Sequence, residues 1–555
     1  MMNAKLLSLP VGIQSFELLR RDSLLYVDKT ARLQELVTDV RRCFLSRPRR
    51  FGKSLTLSTL EAMFSGKTEL FKGLAAEAWV AEQARHPCPV LCLSMARGRS
   101  MEGVRGFDIS LYNDLMVLGR KQGLPMLRKD TEGALGAFKD VLEGLYDQGG
   151  PVVVLIDEYD KPILDKIGDL EAAEAMREAL RSFYTVLKGC DKYIRFLMIV
   201  GISVCPKCPT LRTDAADRHS AGRLSGAREL AAWPKTGVFS AMNNLRDISA
   251  SESFGDIVGY TQAELEASFS EWIDAAALKT GTTREGLLKR MKDYYDGFCF
   301  DGATRLYNPF SILNFLADRR FSNYWYSSGS PAFIVEYMKR HGIRDPEAYR
   351  HMSVSADFAE SQEIERARPE SFLYQAGYLT IEKWVEDSIT LDYPNREVLD
   401  SISRMYLEHV YRVESYSSIG SDLWRALSEG DVAEAIRLYN TALASIPYQD
   451  FIKRDESLYR SLFLMLLRGA GITAHGEVPT NRGRSDVLVL FPHRVAVLEF
   501  KLARSESEVD RLRLEGRKQI EEKGYTKPYD AERRAVTAEV VVIDAEKRRA
   551  VPPHP

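Results

Sequence analysis

Residues 46–55 read SRPRRFGKSL, and their Gly-Lys-Ser, at positions 52–54, is the usual ending of a phosphate-binding loop. In such a loop the backbone N–H groups surround the phosphates, the lysine reaches the terminal phosphates and the serine hydroxyl is a magnesium ligand. The flanking sequence fits, because Phe44 and Leu45 end a predicted strand and a helical apolar spacing follows the loop. The apolar residues on one face of that helix are Leu57, Leu60, Met63 and Phe64. Its N-terminus is expected to face the phosphates.

Arg47 stands where a phosphate-binding loop normally has its first glycine. Glycine permits a tight turn, so this loop must turn by another route, in which Pro48 fixes φ and the arginines face anions or solvent. A second interpretation is that the arginines form only a solvated basic face. These arginines are Arg41, Arg42, Arg47, Arg49 and Arg50. An isolated Gly-Lys-Ser is also common as a plain helix N-cap.

The stretch VVVLIDEYDKP, at residues 152–162, supplies the second half of a nucleotide site. Asp157 ends a predicted buried strand, where it can hold magnesium through water, and the neighbouring Glu158 can activate an attacking water. Apolar stretches such as RRCFLS, CPVLCLSM, PVVVLIDE and IRFLMIVGIS alternate with helical patterns, which is typical of a parallel sheet flanked by helices. In this α/β context the two motifs together favour a nucleotide site over an isolated helix cap.

Length and composition indicate a globular protein of several domains. A chain of 555 residues is too long for one hydrophobic core. Lys+Arg total 76 against 78 Asp+Glu, so nucleic-acid binding would need local basic patches. The seven cysteines are an odd number and widely scattered, which fits reduced thiols better than a disulfide framework. Because neither a secretory signal nor an uncharged run of about 18 residues is present, a cytoplasmic protein without membrane contact is expected.

The pattern along the chain predicts a series of domains with one insertion. The domains are an α/β domain at 8–260, an aromatic-rich lid at 261–345, a mainly helical connector at 346–450 and a small domain of order α-β-β-α-β at 451–548. Residues 205–235 interrupt the α/β domain without a clear apolar period, and we interpret them as a loop insertion. Cys205, Cys208 and His219 in this insertion could ligate zinc, but a fourth ligand is missing. A tolerated loop is therefore favoured.

The stretch EVPTNRGRSDVLVLFPHRVAVLEFK, at residues 477–501, indicates a different chemistry. Asp486 opens one apolar strand, and Glu499 and Lys501 lie two positions apart on the next, so that their side chains share a face. Two carboxylates that converge within about 4 Å repel by about 4 kcal/mol at an effective dielectric near 20, unless a cation such as magnesium lies between them. The metal would polarise a scissile phosphate and activate water, and the lysine would orient that water or stabilise negative charge. The alternative is a hairpin that carries ordinary surface charges.

Several stretches resemble, in order, the AAA-ATPase-like family of bacterial and archaeal proteins over residues 8–340. They are LPVGIQSFELLRRDSLLYVDKT, FLSRPRRFGKSLTLSTLEAMF, VVVLIDEYDKPI, TGVFSAMNNLRDIS, YYDGFCF, LYNPFSILNF and NYWYSSGSP. In that family RPRRFGKS is the usual form of the loop, so the resemblance makes Arg47 a family trait.

The resemblance implies an ATP and magnesium site with a catalytic Glu158. The implied nucleotide residues are Arg50, Phe51, Gly52, Lys53, Ser54, Leu55 and Asp157, of which Ser54 and Asp157 would hold the metal. It also suggests that Tyr26, Asp28 and Lys29 lie near the nucleotide. Family members run almost directly from a strand like FLMIVGIS into a segment like GVFSAMNNL, whereas the insertion separates them here. Polar residues just past that strand sense the γ-phosphate in related ATPases, so slow turnover is expected.

Residues 451–548 resemble the PD-(D/E)XK nuclease superfamily, specifically the domain that follows AAA-ATPase-like domains. Two carboxylates and a lysine match the motif itself, a third carboxylate matches the acid of the preceding helix, and a glutamine matches one of the following helix. In that order these residues are Asp486, Glu499, Lys501, Glu456 and Gln519. The resemblance implies that all but Glu456 are catalytic and that the three carboxylates bind metal. Glu477 is a weaker carboxylate candidate.

The sequence thus predicts an α/β protein with a P-loop NTPase parallel-sheet domain, a helical connector and a C-terminal α/β PD-(D/E)XK nuclease-like domain. The expected function is nucleotide-gated cleavage of nucleic acid, with DNA as the expected substrate and ATP and Mg²⁺ as cofactors. A second interpretation is a signalling switch whose C-terminal domain grips a nucleic acid or protein without cleaving it. A third is an interaction scaffold that needs neither ATP binding nor cleavage. A homo-oligomer is compatible with the sequence.

Overall fold

The computed structural model places the chain in two compact units. It describes residues 7–96, 102–125, 133–166, 168–202, 242, 244–327, 332–343, 345–356, 358, 368–413, 416–447 and 455–553. The first unit comprises Met1–Tyr337 and His351–Arg396, and the second comprises Met338–Arg350 and Glu397–Pro555. The insertion predicted at 205–235, with Cys205, Cys208 and His219, lies outside the described residues. In the part of the chain that the structure describes, no helix is long and apolar enough to cross a membrane.

A five-stranded parallel sheet forms the centre of the first unit. Its strands are β1 (Arg42–Ser46), β2 (Val90–Ser94), β3 (Val152–Asp157), β4 (Ile194–Gly201) and β5 (Arg246–Asp247). They lie in the order β2-β3-β4-β1-β5, so β4 separates β1 from β3. Every residue of β1 is buried, as expected for a parallel strand that is covered on both faces. The strands predicted from the apolar stretches are confirmed, and their carboxyl ends meet at one edge of the sheet.

The first unit also contains helices before, between and after these strands, and one of them, α14 (Ala332–His341), extends past the boundary at Tyr337. In chain order they are α1 (Phe16–Arg21), α2 (Thr30–Asp39), α3 (Lys53–Phe64), α4 (Glu77–Gln83), α5 (Gly103–Lys121), α6 (Gly133–Gly149), α7 (Lys161–Leu164), α8 (Leu170–Gly189), α9 (Gln262–Ser268), α10 (Ser270–Thr280), α11 (Arg284–Tyr295), α12 (Pro309–Asp318), α13 (Tyr324–Ser327) and α14 (Ala332–His341). Helices α9 to α12 share a hydrophobic core, in which Phe269, Met291 and Phe315 pack with Leu25 and Val27 of the N-terminal segment. The aromatic-rich stretch is therefore helical, and its designation as a lid stays a prediction.

A three-stranded antiparallel sheet lies in the stretch that was expected to be a helical connector. Its strands are β6 (Met352–Ser355), β7 (Thr380–Val385) and β8 (Ser388–Asp392), in the order β6-β8-β7, with α15 (Pro369–Gln375) between β6 and β7. The helical prediction is wrong for these residues. The turn between β7 and β8 contains no glycine, and Glu386 adopts the positive φ, of 51°, that a glycine often has in such turns. The usual hairpin signal is therefore missing from the sequence.

The remaining helices and a mixed sheet form the second unit. The helices are α16 (Arg396–Met405), α17 (Tyr416–Glu429), α18 (Val432–Ser445), α19 (Glu456–Gly469) and α20 (Val509–Lys523), and the strands are β9 (Thr473–Thr480), β10 (Gly483–Leu490), β11 (Arg494–Ala503), β12 (Ala535–Asp544) and β13 (Arg549–Val551). The sheet order is β13-β12-β11-β10-β9, with β11 and β12 parallel and the other neighbours antiparallel. The predicted α-β-β-α-β order omits β9 and β13, because both are short of apolar residues. The predicted fold class is confirmed.

An ion pair fixes the short segment 338–350 into the second unit. Arg468, near the end of α19, is 1% exposed, and its Nη1 donates to Glu347 Oε1. Its Nε donates to the carbonyl of Ala474 at 3.1 Å. Buried arginines require such partners, so this contact explains why a segment that precedes β6 in the chain belongs with α19.

Candidate functional sites

The candidate phosphate loop joins β1 to α3, and two left-handed residues shape it. Gly52 precedes α3 with a φ of 94°, and Arg50 has a φ of 67°. A left-handed conformation costs a residue with a Cβ about 1–2 kcal/mol, whereas glycine adopts it freely. The guanidinium of Arg50 lies 4.9 Å from the centre of the Phe310 ring, a cation–π contact that offsets part of this cost.

Lys53 and Ser54 begin α3, and their side chains point in different directions. The ammonium of Lys53 donates to the carbonyls of Arg47 and Pro48 at 2.7 and 2.8 Å. Burial lowers the pKa of Lys53 to about 8. The hydroxyl of Ser54 donates to Asp157 Oδ2 at 2.6 Å, so the two predicted magnesium residues are in direct contact between the start of α3 and the end of β3.

Glu158 follows Asp157 at the end of β3 and, like Arg50, is a non-glycine residue with a positive φ, of 51°. Its backbone N–H donates to Asp157 Oδ1 at 2.9 Å. Burial, and then the charge of Asp157, raise the pKa of the Glu158 carboxyl above its ordinary value. A carboxylate with a raised pKa is a stronger base, which suits proton transfer from water.

All of the residues predicted to form the nucleotide site line one cavity of about 880 Å³. They are Arg50, Phe51, Gly52, Lys53, Ser54, Leu55, Asp157 and Glu158. The rest of its wall includes the N-terminal Gln14 and the aromatic residues Tyr260, Phe310, Trp325 and Tyr378. The cavity thus has an anion-binding end, at the N-terminus of α3, and an aromatic wall suited to a planar base.

Arg47 does not face anions or solvent, and both interpretations of it as a surface residue are wrong. Its side chain is 1% exposed, and Nη1 donates to the carbonyls of Ser46 and Ser249 at 2.9 and 2.7 Å. Its guanidinium also lies 4.4 Å from the centre of the Phe300 ring. Burial lowers the pKa of Arg47 to about 10. Arg47, at the position where such loops usually have a glycine, is therefore a buried residue whose hydrogen bonds hold the loop in place.

Tyr26, Asp28 and Lys29 do not line this cavity. Tyr26 and Lys29 line a neighbouring cavity of about 60 Å³, and the ammonium of Lys29 is bonded to Glu264 and to the carbonyl of Asp256. Asp28 accepts from the backbone N–H groups of Thr30 and Ala75, each at 2.8 Å. Their suggested place near the nucleotide stays a prediction.

Asp160 is a residue of this region that the sequence interpretation missed. It is 2% exposed, and its Oδ2 accepts from the backbone N–H of Ile202 at 2.9 Å, just past the end of β4. The packing there is close, because a Cβ added to Gly201 would lie 2.5 Å from the Tyr159 ring. The motif that carries Asp157 and Glu158 is thereby tied to β4, and a third acid in IDEYD was the available signal.

The candidate nuclease residues of the second unit converge from two helices and two strands. Asp486 lies on β10, where its Oδ2 accepts from the backbone N–H of Phe500 at 2.7 Å. Its Oδ1 accepts from Arg460 Nη1 at 2.8 Å. Both oxygens are held, so the orientation of this carboxylate is fixed.

Glu499 and Lys501 share one face of β11, as the alternation of a strand predicts. Lys501 Nζ donates to Glu499 Oε1 at 3.0 Å and to Gln519 Oε1 at 2.9 Å. Gln519, on α20, donates through Nε2 to Glu499 Oε1 and to the Tyr525 hydroxyl. The matched lysine, glutamine and glutamate therefore form one hydrogen-bonded cluster.

The carboxylates of this cluster suit a divalent cation by residue type and by one unpartnered oxygen, but the ligand atoms of Glu456, Asp486 and Glu499 do not all lie within 4.8 Å of one another. Glu499 is 2% exposed, and its Oε2 is buried without a hydrogen-bond partner. Burial, and then the charge of Asp486, raise the pKa of the Glu499 carboxyl to about 7. Burial and Asp486 also raise the pKa of Glu456, at the start of α19. A hard cation that accepts carboxylate oxygens would remove both penalties, and a hairpin with solvated surface charges would show neither.

Glu477 and Arg460 stand beside this cluster and bond to each other. Glu477 is at an irregular position of β9, with a φ of 49°, and its oxygens accept from Arg460 Nη2 at 2.6 Å and Arg484 Nη1 at 2.8 Å. The structure therefore engages Glu477 with arginines. Arg460 was missed, although its spacing of four residues from Glu456 puts both on one face of α19.

Two family models and one relative match the sequence of this chain. Residues 10–208 match the family model described as predicted AAA-ATPase, and residues 454–551 match that of the PD-(D/E)XK nuclease superfamily. A protein of Azotobacter chroococcum mcd 1, named "uncharacterized protein in vnfD 5'region", is 31% identical over 536 residues, which are 94% of each chain. No solved structure matches.

The fold and sites define a P-loop protein joined to a nuclease-type domain. The chain belongs to the AAA-ATPase-like family and carries a domain of the PD-(D/E)XK nuclease superfamily after it. The resemblance stated from the sequence is confirmed in both domains and in their order.

Proposed function

We propose that the first unit binds and hydrolyses ATP with Mg²⁺, and that the second unit is a Mg²⁺-dependent nuclease that cleaves DNA. The domain families support ATPase and nuclease activity as classes. The observation that carries the first half is the contact of Ser54 with Asp157 inside the cavity that also contains Lys53 and Glu158. The residue roles and the boundaries 8–260, 261–345, 346–450 and 451–548 are part of the proposal.

In the ATPase half, each residue has a separate task. Lys53 exchanges the two loop carbonyls that it now contacts for the terminal phosphates. Ser54 and Asp157 hold the metal, which when bound neutralises charge on the phosphates. Glu158 accepts the proton of the attacking water, helped by its raised pKa.

The test of hydrolysis uses Glu158→Gln, which keeps the size of the side chain and removes the base. This variant should retain ATP binding and lose turnover by about 10²-fold or more. Glu171→Gln, at the start of α8, is a matched control in the same unit. Wild-type turnover in Glu158→Gln would remove Glu158 from the mechanism, and absence of ATP binding by the wild type would contradict the first half of the proposal.

In the nuclease half, the carrying observation is the unpartnered Oε2 of Glu499 next to the fixed Asp486. Asp486, Glu499 and Glu456 are the carboxylates that would hold Mg²⁺, whose chemistry is to polarise the scissile phosphate and lower the pKa of water. Lys501 is held by Glu499 and Gln519, so its ammonium is positioned to orient that water or to stabilise charge on the phosphate.

The test of cleavage compares linear, nicked and branched DNA with RNA, in Mg²⁺ and in EDTA. Asp486→Ala and Glu499→Ala should lose cleavage together with metal binding, whereas Lys501→Ala should bind metal and lose only the chemical step. Glu515→Ala and Lys518→Ala, both on the exposed side of α20, are matched controls. Wild-type cleavage by Asp486→Ala would reveal another site.

A substrate other than DNA, or none, would redirect the proposal. Cleavage of RNA alone would move the substrate class, and cleavage of nothing by the wild type would favour the switch that grips a partner without cutting it. The proposed setting is a cytoplasmic protein with a nucleic-acid partner, and its oligomeric state is to be measured in the same preparations by light scattering.

A further inference from the structure

The candidate nuclease centre contains an arginine that the chemistry proposed above does not use. Arg460 lies on α19 with 16% of its side chain exposed. Through separate nitrogens it contacts Asp486 Oδ1 at 2.8 Å and Glu477 Oε1 at 2.6 Å. A guanidinium between two carboxylates reduces their mutual repulsion, as a metal ion bound between them would.

We propose that Arg460 takes the place of a second metal ion, so that this centre binds a single divalent cation. Arg460 is then a positioning residue, which holds Asp486 and supplies positive charge on the side of Glu477. The inference rests on the proposed nuclease function, and it concerns the number of ions, which that function leaves open.

The contacts of Asp486 carry the first step. In a two-metal site the ions lie about 3.5–4 Å apart, and a carboxylate that serves both must turn one oxygen toward each. Here Oδ2 of Asp486 is taken by the backbone N–H of Phe500 and Oδ1 by Arg460. Each oxygen keeps one lone pair for a metal, but the guanidinium of Arg460 lies against Oδ1, and its positive charge disfavours a second cation on that side.

The contacts of Glu499 carry the second step. Its Oε1 accepts from Lys501 and from Gln519, and its Oε2 is the oxygen that is buried without a partner. A single unsatisfied oxygen in a nearly inaccessible side chain calls for one ligand on that side. Glu499 thus offers one unpartnered oxygen to an ion, and Asp486 lies on the adjoining strand of the same sheet.

The charges of the cluster agree with this number. Its four carboxylates, when ionised, face three cations. These groups are Glu456, Glu477, Asp486 and Glu499 against Arg460, Arg484 and Lys501. One divalent ion brings the cluster to a single positive charge, which a phosphodiester neutralises. A second divalent ion would leave a threefold positive charge in a half-buried site, which Coulomb repulsion opposes.

The experiment counts Mn²⁺ bound to the full-length protein without nucleotide, by electron paramagnetic resonance of the free ion. The number of ions lost on Glu499→Ala isolates this centre from any other Mn²⁺ site. We expect one ion for the wild type and one for Arg460→Lys, which keeps the charge. Arg460→Gln should gain a second ion or bind the first at least tenfold more tightly, because the opposing charge is gone.

Several outcomes would overturn the inference. Two ions in the wild type, or one ion of unchanged affinity in Arg460→Gln, would show that Arg460 has no such role. Loss of no ion on Glu499→Ala would instead contradict the proposed metal centre itself. Arg425→Gln, an exposed arginine on α17, controls for removal of a guanidinium from the second unit, and the wild-type count remains decisive even if Arg460→Gln does not fold.

Discussion

Burial of Lys53 disfavours the charged form of its side chain, whereas a bound triphosphate would favour that form. Because burial lowers its pKa to about 8, the side chain is about three-quarters neutral at pH 8.5 and almost fully charged at pH 6.5. A triphosphate beside the ammonium stabilises the charged form. We therefore predict that ATP binding takes up most of one proton at pH 8.5 and that the uptake from this group vanishes at pH 6.5.

Calorimetry of ATP binding in buffers of different ionisation enthalpy measures this proton directly. Lys53→Ala should bind ATP much more weakly, whereas Lys72→Ala, which removes an exposed lysine of the same unit, should behave as the wild type. Equal proton counts at both pH values would contradict the assignment of Lys53 to the phosphates.

Arg47 supports the loop through contacts that glycine could not make. Arg47→Met leaves buried carbonyls, including those of Ser46 and Ser249, without a donor. Each unsatisfied group costs about 1–3 kcal/mol, so the first unit should lose about 3 kcal/mol of its free energy of unfolding and ATP affinity should fall with it. Chemical denaturation measures the loss. Arg41→Met, an exposed arginine in the same stretch, should change it by less than about 0.5 kcal/mol.

At the scale of elements, the segment 338–350 depends on one buried ion pair. Glu347→Ala leaves Arg468 buried without its carboxylate, and removal of one partner of a buried pair costs about 3–5 kcal/mol. We expect the free energy of unfolding of the second unit, measured by chemical denaturation, to fall by that amount. Asp422→Ala breaks the exposed pair with Arg425 and should have little effect. An equal effect of both changes would contradict the anchoring role.

The same pair predicts a dependence of stability on pH. Burial opposes ionisation of Glu347, but the charge of Arg468 wins and lowers the pKa of the carboxyl below its ordinary value of 4.5. A lowered pKa means that the stabilisation is fully present above 4.5 and is lost as pH falls through the folded-state value. This acid-induced loss should be absent in Glu347→Ala.

The strands differ in how well the sequence predicts them. The four longer strands of the parallel sheet, β1 to β4, are apolar runs, and the sequence predicts them correctly. The sheet of β6 to β8 has a turn without glycine, so its hairpin lacks the usual turn signal. Strand β9 is half exposed at the edge of its sheet and lacks an apolar run. Tertiary contacts, not local preference, decide these strands.

The candidate sites follow the same division. Residues that belong to a motif, such as Lys53, Asp157 and Glu499, could be proposed from the sequence because the spacing of the motif is characteristic, and their roles stay predictions. Arg47 and Arg460 could not be assigned, because an arginine on a surface and an arginine in a buried cluster look alike in sequence. Only the fold shows that both are held by specific partners.

At the scale of the whole molecule, the family places an ATPase domain and a nuclease domain on one chain. The relative from Azotobacter chroococcum mcd 1 aligns over 94% of each chain, so the similarity extends over both domains of this chain. Two domains on one chain can be coupled, so that the state of one site changes the activity of the other. We therefore predict that the state of the nucleotide site changes the rate of cleavage.

The most direct test is the rate of DNA cleavage in Mg²⁺ with and without ATP, measured for the wild type, Lys53→Ala and Glu499→Ala. ATP should raise the wild-type rate at least tenfold, leave Lys53→Ala at its unstimulated rate and have no effect on Glu499→Ala, which should not cleave at all. Cleavage by the wild type at one rate regardless of ATP would contradict nucleotide control. The absence of cleavage under every condition would contradict the nuclease.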